Sequence, residues 1–217
     1  MLKKLLKKEL TLSINSQMIV MMAFLLLSYI PFVPILTGLV YGIVAVNFIF
    51  PIDLANRDIE FTSILPIKKD DIVKSKVLFI AFIQILSLLI VIPGIILRMY
   101  VYPAFMGEEE LQEYMATCPT PMAIGYMISA MGIYNIIVIP AYYRNPIKKI
   151  TVPQLIGVLA STLLMAVGFI LDIIFRTSGT PILVGSIVSI SFGVILYIVL
   201  TFIAVKRAQI HLYNFNL

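Results

Sequence analysis

The chain has 217 residues, of which 61% are apolar and 12% are charged, and its net charge is +5. Soluble domains are about half apolar and a quarter charged, so this composition excludes an ordinary soluble fold and indicates a membrane protein. The positive charge does not predict a nucleic-acid partner, because the lysines and arginines border apolar runs and orient them in a bilayer. A single cysteine, Cys118, excludes an internal disulfide.

The first thirteen residues predict a short amphipathic helix in the membrane interface. Leucines recur at helical spacing and lysines fill the remaining arc, so the leucines would face the bilayer core and the lysines its phosphates. A plain basic anchor that orients the chain is the alternative. The residues assigned to this helix are Leu2, Lys3, Lys4, Leu5, Leu6, Lys7 and Lys8.

The lengths of the apolar runs predict an all-α protein with six membrane spans, since one crossing takes about 20 apolar residues. The first run, from Met18 to Ile52, would make a helix of about 50 Å, which is too long for one crossing. Pro31 and Pro34 at its middle favour a break, so we expect two short spans joined by a hairpin. The predicted spans are residues 16–33, 35–53, 77–97, 122–142, 152–174 and 182–205, within a single domain of residues 1–217.

The basic residues predict the orientation of these spans. With six crossings, all but two of the 16 lysines and arginines lie on one side, and only Arg98 and Arg176 lie on the other. Basic residues are retained in the cytoplasm, so that side and both chain ends are predicted to be cytoplasmic in a multi-pass protein of the cell membrane.

The longest predicted outer loop, residues 98–121, is acidic. Gly107 precedes a run that is typical of a short helix with acid in its first turn. A solvated surface is the plain interpretation, and a role in an outer gate or in substrate contact is the alternative. The acidic residues are Glu108, Glu109, Glu110 and Glu113.

Several kinds of chemistry are absent from the sequence. No GxxxxGK[ST] phosphate loop and no Gly-x-Ser-x-Gly motif occurs, and His211 has no second histidine or cysteine cluster for a metal site. Asp53 and Asp172 lie at span ends, and the other polar residues within spans are neutral. Such residues more often join helices than bind transported ions, so any uphill transport needs a partner that supplies energy. The neutral residues are Asn47, Gln84, Asn135 and several serines and threonines.

The predicted cytoplasmic loop, residues 54–76, contains a short helix. Asp53 and Arg57 are four residues apart with the acid first, a spacing that favours a helix continuing from the second span. Pro66 would end the helix, and Asp70 or Asp71 could cap the next span. The apolar residues of this loop indicate that it binds a protein partner, although a loop without any partner is the alternative. The apolar set concerned is Ile59, Phe61, Ile64 and Leu65.

The loop resembles that of a known family. The run Ser63-Ile-Leu-Pro-Ile-Lys-Lys-Asp-Asp-Ile-Val-Lys-Ser-Lys76, preceded by Asn56-Arg-Asp58, is similar to the first cytoplasmic loop of small six-helix permeases of type-2, exporter-class ABC transporters. Residues 139–149 resemble the proline-aromatic end of the family's fourth span, but depart from it where Phe-Lys-Phe-Gly is common. The resemblance extends over nearly the whole chain.

This resemblance implies the membrane half of an exporter. The chain would pair with a second copy or a paralogue and with separate ATPase subunits that hold ATP and Mg²⁺, while carrying no cofactor and no enzymatic activity itself. Permeases that export amphipathic peptides from Gram-positive bacteria are the most similar in length, which implies an amphipathic or hydrophobic cargo such as a peptide toxin, bacteriocin or drug. The implied ATPase-coupling residues are Asp53, Arg57, Asp58, Glu60, Phe61, Ile64, Leu65, Pro66, Lys68 and Lys69.

Two other functions remain open. The chain could be a membrane scaffold or sensor subunit whose cytoplasmic loop is only a connector. It could also be a small secondary carrier driven by an ion gradient.

Overall fold

A computed structural model describes residues 2–64, 66–144, 150–178 and 181–214. The described residues form helices and connecting turns, with no β-strand among them. This confirms the all-α class. The α-helices are α1 (Leu2–Leu12), α2 (Ser16–Ala23), α3 (Ile35–Asn47), α4 (Ile49–Ala55), α5 (Asp58–Ile64), α6 (Lys69–Ile96), α7 (Glu108–Thr117), α8 (Met122–Arg144), α9 (Thr151–Thr177) and α10 (Ile182–Asn214).

Five helical segments in the described part of the chain are long and apolar enough to cross a membrane. Two of them join shorter helices: α3 continues into α4, and α6 continues through a π-turn and a 3₁₀ turn. This is the architecture of an α-helical membrane protein. The five segments are Ile35–Ala55, Lys69–Phe105, Met122–Arg144, Thr151–Thr177 and Ile182–Asn214.

The expected first span is shorter than the other five. Helix α2 continues as a 3₁₀ helix over Phe24–Tyr29, and together they extend about 24 Å, less than the hydrocarbon thickness of about 30 Å. The chain then leaves helical geometry until α3 begins at Ile35, so the break expected at Pro31 and Pro34 is confirmed. Helix α1 is bent by 80° from Ser16–Tyr29, and only as a bent pair do these two pass as a sixth candidate.

Helix α8 is the most buried of the five segments and packs closely against α10. A Cβ added at Gly125 would lie 2.4 Å from the backbone of Ser189, and one added at Gly193 would lie 2.4 Å from the Gly125 carbonyl. Small residues thus allow the two backbones to touch, as is common between membrane helices. Helices α9 and α10 leave long rows of apolar side chains exposed.

Neutral polar residues join the helices in the middle of the bundle, as the sequence predicts. The Gln84 amide donates to Asn135 at 2.8 Å, and Asn135 donates to Thr201 at 3.1 Å. The Tyr134 hydroxyl donates to Asn47, which links α8 to α3. These bonds satisfy polar groups that would otherwise be unpaired in an apolar interior.

Contacts between distant parts of the chain define the two ends of the bundle. At one end, called here the basic end, α1, α5 and the start of α6 meet, and the Lys69 ammonium donates to the Leu212 carbonyl near the end of α10. At the opposite end, the turn before α3 meets the end of α6, and the end of α9 meets the segment before α8.

Candidate functional site

A sharp break at the basic end separates α4 from α5. Helix α4 ends at Ala55, and Arg57 adopts a left-handed backbone conformation with φ of 48°, which is uncommon outside glycine. The expectation that a helix continues from Asp53 through Arg57 is therefore wrong. Arg57 is exposed and lies 3.9 Å from Glu60 of α5, whereas Asp53 turns into the protein.

Helix α5 has one buried and one exposed face. Asp58, Ile59 and Thr62 are buried. Phe61 is 63% exposed and Ile64 is 81% exposed, although both are large and apolar. Together with exposed Pro66, they form a patch that we call the α5 surface. Leu65, which the sequence assigns to the same set, lies outside the described residues.

A buried group of charged side chains, called here the ion cluster, lies beside the inner face of α5. Lys76 of α6 is 2% exposed, and its Nζ lies 2.8 Å from Asp53 Oδ2 of α4. The same ammonium pairs with Glu9 of α1 and lies 3.8 Å from Asp58 Oδ2 of α5. One cation thus joins three other helices. The ion cluster comprises Lys8, Glu9, Asp53, Asp58 and Lys76.

Lys8 connects α1 to α5 directly. Its ammonium donates to Asp58 Oδ1 at 2.7 Å and to the Thr62 hydroxyl at 3.0 Å. The expectation that Lys8 faces lipid phosphates with the other lysines is therefore wrong, since its side chain is 19% exposed and turned inward. On the buried side of α1, Leu5 and Glu9 face the protein, and α1 packs along α6.

The ion cluster contains its own cation. Oxygens of Glu9, Asp53 and Asp58 lie within 4.8 Å of one another, a separation that could also suit a metal ion. The Lys76 ammonium already pairs among them, and the Ser13 hydroxyl lies 3.0 Å from both the Glu9 and the Asp53 carboxylates. Buried charges are tolerated when they are paired and hydrogen-bonded in this way. The arrangement is that of an ionic joint between helices.

The remaining predicted coupling residues lie around the start of α6. Lys68 is exposed and precedes the helix without a side-chain cap, and Lys69 lies 5.8 Å from the centre of the Tyr213 ring. Asp70 and Asp71 lie in the first turn, so the expectation that one of them caps the helix is wrong. The negative charges of both aspartates still interact favourably there with the positive end of the helix dipole.

The other predicted sets lie on the surface. On α1, Lys3, Lys4 and Lys7 are exposed, while Leu2 and Leu6 are partly buried. On α7, which begins after Gly107 as the sequence predicts, Glu108, Glu109 and Glu110 are exposed. The Glu113 side chain lies outside the described residues. The outer-gate role of these glutamates stays a prediction.

At the opposite end, the side chains of two arginines donate hydrogen bonds to backbone carbonyls of neighbouring segments. Arg98 is 2% exposed and donates to the carbonyls of Val33 (2.9 Å) and Pro31 (2.5 Å). Arg176 donates to the carbonyls of Met115 and Cys118.

Asp172 and two further buried groups complete the opposite end. Asp172 pairs with Arg176 at 2.9 Å and accepts the Thr120 hydroxyl at 2.7 Å. Burial raises the pKa of Tyr114 to about 12 and also raises the pKa of the Cys118 thiol above its ordinary value. Both groups therefore stay neutral near pH 7.

Sequence reasoning missed two members of the ion cluster. Glu9 looks like part of a lysine-rich helix, and Lys76 enters only the charge count and the end of the loop motif. The two nevertheless pair across 67 residues of chain. The available signal was an acid within the basic arc of α1. A glutamate at that position is expected to face a cation from another helix.

Comparisons with models of protein families, with curated proteins and with solved structures found no match to this chain. The resemblance to ABC exporter permeases therefore stays a prediction from the loop motif.

Proposed function

We propose that this chain is the membrane half of an ATP-driven exporter of the ABC class and that the α5 surface is where a separate ATPase docks. The observation that carries this proposal is the two-faced α5. Phe61 and Ile64 are exposed at the basic end, while the other face of the same helix is fixed by buried charges. Large exposed apolar groups in a polar setting are typical of interaction sites.

The ion cluster supports a mechanical role for α5. Asp58 of α5 shares the Lys76 ammonium with Asp53 near the end of the α3–α4 segment, and Lys76 itself belongs to the start of α6. A push on α5 therefore acts on two membrane segments at once. ATP can bias such a movement only if the ATPase contacts α5 differently in its two states.

The proposal includes six crossings with both chain ends in the cytoplasm of the cell membrane. Residues Ser16–Tyr29 would supply the sixth crossing as a short segment, locally thinning the bilayer or leaving Asn15 and Tyr29 in its interfaces. The exposed lysines of α1 and the basic residues around α5 support the cytoplasmic assignment.

The proposal also includes a second copy or a paralogue of the permease and an amphipathic or hydrophobic cargo. The exposed apolar rows of α9 and α10 are compatible with both a partner permease and lipid. Between these helices, toward the opposite end, lies an apolar groove of about 300 Å³ lined in part by Tyr126, Phe175 and Phe192. Such a groove suits an apolar chain better than a charged ion.

The decisive experiment places a charge on the α5 surface. Ile64→Asp should abolish stimulation of ATP hydrolysis by cargo and should reduce export at least tenfold in proteoliposomes with the cognate ATPase, because the carboxylate cannot enter an apolar contact. Phe105→Asp is the matched control, since Phe105 is 85% exposed at the opposite end. Normal coupling in Ile64→Asp would refute the docking assignment.

A second candidate is a secondary carrier, which the buried ionisable residues Asp53 and Lys76 favour, because such groups in membrane segments often mark ion pathways. Export that persists without ATP and collapses with the ion gradient would support it. A scaffold without an ATPase partner would show neither dependence.

A further inference from the structure

Helix α1 binds helix α5 directly through the side chain of Lys8, beside the indirect link through Lys76. Helix α1 packs along α6, and its Leu5 is buried. It reaches α5 through the Lys8 ammonium, which binds both the Asp58 carboxylate and the Thr62 hydroxyl. These two acceptors lie on the buried face of α5, directly behind the α5 surface.

The Lys8 link is partly desolvated. The Lys8 side chain is 19% exposed and that of Asp58 is 10% exposed, whereas the Lys76 and Glu9 side chains are each 2% exposed. A hydrogen-bonded ion pair in such a setting is stronger than a surface pair, yet water can reach it. The part of the ion cluster around Lys76 is therefore more deeply buried than the bond at Lys8, which is the more accessible of the two.

Lys8 also differs from the other lysines of α1. Lys3, Lys4 and Lys7 are exposed, so only the fourth lysine points into the protein. The neighbouring Lys7 has the same charge, lies on the same helix and is exposed. It offers a matched control for any charge effect on α1.

We propose that Lys8 makes α1 a brace for α5: it is a positioning residue that holds the inner face of α5 against the ion cluster and thereby sets the orientation of the α5 surface. A partner that moves α5 must open the bond between Lys8 and Asp58, so the seating of α1 and binding at the α5 surface are linked in both directions. The identity of the partner rests on the proposed function, whereas the contact between Lys8 and α5 lies within this chain and needs no partner.

The test measures opening of the inner face of α5 in the whole purified chain. Cys118→Ser removes the native thiol, and Ile59→Cys adds one at a site that is 3% exposed beside Asp58. In this background Lys8→Ala should raise the maleimide labelling rate of residue 59 by about tenfold, because loss of the charged hydrogen bonds favours local opening. Lys7→Ala should leave the rate unchanged, and Lys8→Arg should restore most of the protection.

Two further measurements make the outcome unambiguous. Phe61→Cys, on the exposed face, should label at the same fast rate in all backgrounds. If Lys8→Ala does not assemble, Lys8→Gln replaces it, because glutamine is neutral and retains a hydrogen-bond donor. Equal labelling of residue 59 in the Lys8 and Lys7 variants would overturn the brace.

The proposed function is judged separately by adding the ATPase. Protection of the cysteine at position 61 by the ATPase reports docking, and its absence refutes docking while leaving the labelling of position 59 to decide the brace. If both hold, Lys8→Ala should weaken or strengthen ATPase binding relative to Lys7→Ala, and identical affinities would refute the link between them.

Discussion

The two ends of the bundle hold their helices by different chemistry. At the basic end, the Lys76 ammonium binds carboxylates from three other helices, and Lys8 adds a second cation. At the opposite end, Arg98 and Arg176 bind backbone carbonyls of neighbouring segments, and the ion pair between Asp172 and Arg176 lies within the single helix α9. Side-chain pairs between helices can exchange when the helices move, whereas carbonyls fixed by an arginine define one loop geometry. Under the proposed function, we expect the basic end to transmit movement and the opposite end to keep its shape.

The largest expected effect comes from removing the central cation. Lys76→Met should lower the free energy of unfolding by about 3–5 kcal/mol, because it leaves buried carboxylates without their partner. Unfolding of the purified chain in detergent, followed by circular dichroism, measures the change. Lys74→Met is the control, since Lys74 is exposed two residues earlier on α6.

A compensating substitution sharpens this prediction. Adding Asp53→Asn to Lys76→Met should recover part of the loss, because it removes one of the buried negative charges that the substitution leaves unpaired. An additive further loss would contradict the assignment of Lys76 as the cation of this joint.

A smaller effect is expected at the opposite end. Arg98→Met removes the donors to the carbonyls of Val33 and Pro31 and should cost about 2–3 kcal/mol of unfolding free energy. Tyr100→Ala, at an exposed neighbour, should change little.

The two-end comparison is tested by a labelling readout on the Arg98 variant. In the Cys118→Ser background, the labelling rate of a cysteine at Ile59, which is 3% exposed, should be the same with and without Arg98→Met, because the arginine fixes a turn at the far end of the bundle. A large change in the labelling rate at position 59 would mean that the two ends are not independent.

The smallest effect concerns the single thiol. Because burial raises the pKa of Cys118 above its ordinary value of 9.0, little thiolate is present at neutral pH, and the fraction rises only as the pH approaches and passes that value. Maleimide labelling of the native chain should therefore be slow at pH 7 and still increasing at pH 9. Fast labelling at pH 7 without denaturant would contradict the buried position.

The same thiol allows the orientation to be measured. Cys118→Ser should cost about 1 kcal/mol or less and leaves a background for new cysteines at Ile64 and at Gly107, where a side chain meets no neighbour within 4 Å. An impermeant maleimide added to whole cells should label position 107 and spare position 64. The reverse result would invert the proposed topology.

Much of the fold follows from local sequence signals, whereas the pairing of charges within the ion cluster does not. The break at Pro31 and Pro34 and the helix after Gly107 follow from local backbone chemistry, and both are present. The continuation from Asp53 to Arg57 was wrong because tertiary pairing with Lys76 outweighs a helical pair. Glu9 could not be matched to its partner by spacing, since neither residue carries a periodic signal that points to the other.

The packing of α8 against α10 limits how the molecule can change shape. A side chain added at Gly125 or Gly193 would collide with the facing backbone, so a rotation that brings a larger residue to either position requires the two helices to separate. We therefore expect α8 and α10 to stay together as a pair. If this protein opens and closes a passage, we expect the other helices to move around the α8–α10 pair.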